Sequence, residues 1–161
     1  MDLGQWLQAF RALHEQAKRG SLQGRDQTDY LAGREELARA LVAAQRLNVQ
    51  PGQTPRTTLR VARALQVDLE SPVRNDRLTT FDLSLGGFSA LLSKVPAVDE
   101  ELTATLRLPG SEPLKAPVMV AEAKTQPGHA RVSFKFKKLP DAEQERLELA
   151  IFDAVLGQLI K

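Results

Sequence analysis

Leu59-Arg60-Val61-Ala62-Arg63-Ala64-Leu65-Gln66-Val67-Asp68-Leu69 decides the fold class. Its aliphatic residues Leu59, Val61, Leu65, Val67 and Leu69 all occupy odd positions, the period-two alternation of a half-buried β-strand. Downstream, short runs with strand chemistry follow at 77–83, 88–92, 102–108, 114–124 and 130–138. Turn residues punctuate them at Ser71-Pro72, Gly86-Gly87, Pro109-Gly110 and Pro127-Gly128. Six short strands with no helix between them predict an antiparallel barrel or sandwich. A barrel suits so small a unit better, because closing the sheet removes its edges.

Upstream of residue 59 the period changes. Leu3, Trp6, Leu7, Phe10, Leu13 and Ala17 follow the three-and-four spacing of an amphipathic helix over 2–19. Gly20-Ser21 and Gly24 break it, and Asp26 suits the N-cap of a second helix ending near Leu47. Tyr30, Leu37, Leu41 and Ala44 would line the inner face of that helix, with Arg34, Glu35, Glu36, Arg39 and Arg46 on the rest. At the far end, Asp141 after Pro140 reads as another N-cap, followed by a helix apolar around most of its circumference. The expected division is a helical hairpin over 1–47 and a linker or ligand-binding arm over 48–58. A β-barrel over 59–139 and a terminal helix over 140–161, packed on the barrel or at an interface, complete it. The fold class is thus α+β with a mainly β core.

Composition narrows function by exclusion. The 161 residues include no cysteine, which rules out a disulfide framework, a thiolate metal site and a cysteine nucleophile. Neither His14 nor His129 has a second metal-ligand type at recognised spacing, so both read as solvated or structural. No catalytic grouping and no metal site emerges, and the protein reads as a non-enzyme without a cofactor. No run approaches the roughly 20 apolar residues of a membrane span, and the N-terminus lacks the pattern of a signal peptide. The expected setting is the cytoplasm. A net charge of +2 permits an anionic partner without requiring one.

Two short elements carry binding chemistry. Arg56 and Arg60, with Arg63 beyond, flank the start of the first strand in an RxxxR spacing. Each guanidinium fork can hold phosphate oxygens or stack on a base, although basic residues at a strand edge also discourage aggregation. Asp82-Leu83-Ser84-Leu85-Gly86-Gly87 is a turn between strands. Its acid can accept from the N–H groups of a purine, and its glycines let a flat base approach. The same residues also suit an Asx or Ser turn that shapes a hairpin.

In this order and strand context, the RxxxR arm and the DxSxxG turn resemble the PilZ domain family over roughly 55–140. The resemblance implies a six-stranded antiparallel barrel and, as in many members, a receptor for the bacterial second messenger cyclic di-GMP. It implies that Arg56 and Arg60 grip phosphate and guanine, and that Asp82, Ser84 and Gly87 line a guanine edge. Pro55 restricts the approach of the arm and leaves open whether one ligand or a stacked pair is held. Family members that have lost these motifs serve in protein contacts, so a module that binds no nucleotide is the alternative. The apolar helices suit a protein partner and equally a homodimer. Single-stranded nucleic acid is disfavoured, because Phe81, Phe88, Phe134 and Phe136 are expected mostly in the core rather than as stacking platforms.

Overall fold

A computed structural model describes residues 2–47 and 59–159. The arm at 48–58, Arg56 included, lies outside the described residues. Chain contacts divide the protein into two compact units. One contains helices α1 (Leu3–Lys18) and α2 (Gly24–Leu47) together with the chain from Phe152 onward; the other runs Arg60–Ile151. Helix α3 (Asp141–Leu159) contributes to both.

The second unit holds strands β1 (Arg60–Ala62), β2 (Gln66–Ser71), β3 (Arg74–Ser84), β4 (Gly87–Leu92), β5 (Glu101–Leu106), β6 (Leu114–Gln126) and β7 (His129–Phe136). β2, β5, β6, β7 and β4 follow β3 in hydrogen-bonded order, and pairing of β3 with β4 closes the ring. This is the closed six-stranded antiparallel barrel expected from the alternation, with the short β1 added along the end of β3. The alternation also selects the core: Val67, Leu69, Leu78, Leu83, Ala104, Leu106, Val118, Val120, Val132 and Phe134 are all buried.

The single strand expected over 59–69 is two. The odd residues stay inside, but pairing breaks between Ala62 and Gln66. Thr80 fills the gap from β3: its hydroxyl donates to the Arg63 carbonyl at 2.5 Å and accepts from Leu65 N–H at 2.9 Å. These two bonds replace ladder bonds that buried backbone groups would otherwise lack.

A second departure concerns β3. The pairing of β3 with β4 shifts register between Thr80 and Asp82. Leu78 and Thr80 point inward, and so does Leu83, so the inward face moves from even to odd positions across this bulge. Phe81, expected in the core with the other β-region phenylalanines, is 41% exposed as a consequence. Phe88, Phe134 and Phe136 do form the expected buried cluster, with Phe88 and Phe134 stacked at 5.0 Å. Bulges commonly re-aim side chains in this manner.

In the first unit, α1 opens on a capping box: Asp2 accepts from Gln5 N–H at 2.8 Å and Gln5 accepts from Asp2 N–H at 3.2 Å. It closes on Gly20 in the left-handed region (φ 70°), with Ser21 N–H bonded to the Gln16 carbonyl and Gly20 N–H to that of Ala17. α2 begins at Gly24, so Asp26 is a first-turn acid rather than the N-cap. Asp141, expected as an N-cap, is likewise the first residue inside α3. Phe10 stacks on Trp6 at 5.4 Å and Tyr30 at 5.3 Å and meets Phe152 edge-on at 6.3 Å. Leu3, expected in the stripe, is 72% exposed, whereas Arg34, expected on the polar face, is buried with its guanidinium over the Tyr30 ring.

His14 is the deepest polar residue of α1. Its Nδ1 lies 2.8 Å from the Tyr30 hydroxyl and its Nε2 3.5 Å from Asp153, which also binds Lys18 at 2.7 Å. The histidine is therefore structural and ties three helices together. Burial pushes its pKa below the ordinary 6.5, against the upward pull of Asp153. The unfolded chain thus takes up this proton at higher pH than the folded one. The stability of the unit should be full above about pH 6.5 and decline as pH falls through the folded value. Melting followed by Trp6 fluorescence should show Tm falling on acidification, with a smaller slope in His14→Gln; equal slopes would exclude the histidine.

Candidate functional site

The bulge in β3 and the turn after it shape one outer patch of the barrel. Because the inward face has changed parity, Asp82 lies outside with Phe81 and is paired across to Ser89 on β4, while Leu83 takes the inward place. On the other flank β1 runs antiparallel, bringing Arg60 opposite Ser84 and Ala62 opposite Asp82. Three of the five expected site residues, Arg60, Asp82 and Ser84, are thereby gathered within one short register. Gly87 joins them through the turn, and Arg56 falls in the segment outside the described residues.

Asp82 is the centre of the patch. Its side chain is only 13% exposed, with Oδ2 placed 3.6 Å from Arg60 Nη1 and 3.8 Å from Arg131 Nη2. Oδ1 is buried and has no hydrogen-bond partner among the described residues. A carboxylate oxygen in that condition is costly unless a donor reaches it. Arg131 was missed by sequence reasoning, since β7 reaches this surface only through the barrel topology. Its guanidinium also lies 5.5 Å above the Phe81 ring.

Ser84 shapes the turn. Its hydroxyl accepts from the N–H groups of Gly86 and Gly87, both at 3.2 Å, and donates to the Gly87 carbonyl at 3.3 Å. Both functions considered for this motif are compatible here, because a fixed turn is what holds Asp82 in place. Ser84→Ala removes the acceptor from two N–H groups and should lower stability by about 1–3 kcal/mol. Denaturant titration checks this, and an unchanged midpoint would make the hydroxyl dispensable. Gly87 is required by space: a Cβ there would stand 1.8 Å from the Phe134 carbonyl oxygen of β7. The turn can lie this close to β7 only without a side chain.

Among the described residues no group of His, Asp and Glu could hold a metal ion, and no described helix is long and apolar enough to cross a membrane. The family model of the PilZ domain matches residues 53–153. The chain belongs to the PilZ domain family. Among solved structures, this PilZ protein is similar to the PilZ domain of YcgR from Escherichia coli, solved with c-di-GMP (TM-score 0.56, 15% identity, 65% of this chain and 95% of that one). It is also similar to the inhibitor of motility MotI/DgrA of Bacillus subtilis (TM-score 0.55, 20% identity, 68% of this chain, 54% of that one). A third is the MrkH–c-di-GMP complex of K. pneumonia (TM-score 0.54, 21% identity, 66% and 55%). The chain thus spans about half the length of MotI and MrkH. No curated protein matches the sequence.

Proposed function

We propose that this PilZ protein is a non-enzymatic receptor for cyclic di-GMP. The observation that carries the proposal is Asp82: a nearly buried carboxylate with one oxygen that has no hydrogen-bond partner among the described residues, flanked by Arg60 and Arg131 beside a turn that tolerates no side chain at Gly87. Acceptor and cations side by side suit a ligand with guanine donors and two phosphates. Support at the level of fold comes from the PilZ domain of YcgR and from MrkH, both solved with c-di-GMP.

In this proposal Arg56 and Arg60 grip phosphate and guanine, and Asp82, Ser84 and Gly87 border a guanine edge. The bound ligand fixes the course of the 48–58 arm on the barrel and so reorients the helices toward a protein partner. Calorimetric titration with cyclic di-GMP, with GTP and cyclic di-AMP as controls, tests it. Binding at about 1 μM or tighter, with neither control competing, is the expected result. No heat and no displacement at high micromolar ligand would favour a protein-contact module instead.

A further inference from the structure

Arg131 belongs to neither binding motif, yet the barrel delivers it to the same carboxylate. β7 pairs with β4 so that Ser133 faces Ser89 and Arg131 faces Leu91; Ser89 in turn faces Asp82. Ser89 and Ser133 bond to each other at 3.2 Å and are too short to separate the flanking groups. Arg131 therefore reaches Asp82 from the side opposite β1, and its side chain is half exposed. Phe81, turned outward by the bulge, lies beneath the guanidinium, 5.5 Å from its central carbon.

We infer that Arg131 reads the guanine base and sets the ligand specificity of this site, an inference that rests on the receptor proposal. Guanine presents two adjacent edges of opposite character. Its N1–H and N2 amino group are donors, which a carboxylate such as Asp82 accepts. Its O6 and N7 are acceptors, matched by the two-pronged arginine fork, the commonest specific contact to this base. Because O6 adjoins N1, one acid and one neighbouring arginine address both edges together. Adenine places an amino group where guanine has O6, and that donor meets the donors of the fork. A surface ion pair without this role would leave base preference unaltered.

The test compares cyclic di-GMP with its 7-deaza analogue, in which CH replaces N7, by calorimetry on wild type, Arg131→Ala and Arg131→Lys. Wild type should prefer the natural ligand by about tenfold. Arg131→Ala should bind cyclic di-GMP about tenfold or more weakly and lose the preference. Arg131→Lys should not restore the preference, since an ammonium lacks the fork. A wild type indifferent to N7, or an Arg131→Ala variant that retains the preference, overturns the inference and leaves the receptor proposal standing. A wild type that binds neither ligand overturns both.

Discussion

Arg60→Ala should weaken cyclic di-GMP binding by about 30-fold or more, which corresponds to about 2 kcal/mol, the low end for truncating a desolvated charge contact. Arg60 holds a fixed place rather than a free surface one: it opens β1, its backbone is in register with Ser84, and its guanidinium faces Asp82. Truncation therefore removes a phosphate-binding fork and also leaves Asp82 with Arg131 as its remaining close cation among the described ion pairs. The fold should tolerate the change. Arg60 is one-third exposed, and exposed ion pairs contribute only about 0.2–1 kcal/mol to stability. Arg60→Lys should fall between the two, because charge is kept while the two-pronged geometry is lost. Calorimetry paired with a melting curve separates the effects: lost affinity with retained Tm is expected, and equal affinity would remove Arg60 from the site.

Gly87→Ala should produce the largest loss of stability of any single methyl group added at this site. The new Cβ would overlap the Phe134 carbonyl oxygen at 1.8 Å and crowd its carbon at 2.9 Å. Both are backbone atoms of a central strand, so no side-chain rotation relieves the contact. Either the β3–β4 turn lifts away from β7, breaking pairs such as Gly87 with Lys135 and Phe88 with Phe134, or β7 itself bends. Overpacking costs about 3 kcal/mol at the upper end of its usual range, a large share of the roughly 5–15 kcal/mol that holds a domain together. Urea unfolding should show this loss, and ligand binding should fail with it as Ser84 loses its partners on the turn. A stable Gly87→Ala variant with native affinity would mean that the turn lies farther from β7.

The barrel was legible because alternation and turn chemistry agree. Residues 59–69 alternate strictly enough to declare a strand, and Pro-Gly or Gly-Gly pairs mark where most hairpins turn. What the pattern could not show were interruptions made by partners distant in sequence. The gap between β1 and β2 exists because Thr80 supplies its hydroxyl to Arg63 and Leu65. The bulge at Phe81 reverses parity within β3, so simple alternation placed Phe81 in the core and gave no hint that Asp82 would share its face. Residue identities in the two motifs were readable, but their meeting depends on register between β1 and β3. Arg131 was illegible for the same reason, since only the ordering of β4 beside β7 brings it near Asp82. In the helical unit, His14 finds Tyr30 and Asp153 on two other helices, and no local spacing announces such a link.

A residue-resolved titration tests the central claim most directly. With the backbone amides of the 15N-labelled protein assigned, cyclic di-GMP should shift the signals of Arg60, Asp82, Ser84, Gly86, Gly87 and Arg131 together. The far strand β5, which pairs with none of the strands that carry these residues, should stay largely in place. Shifts confined to other surfaces, or none at saturating ligand, would contradict a nucleotide site built around Asp82.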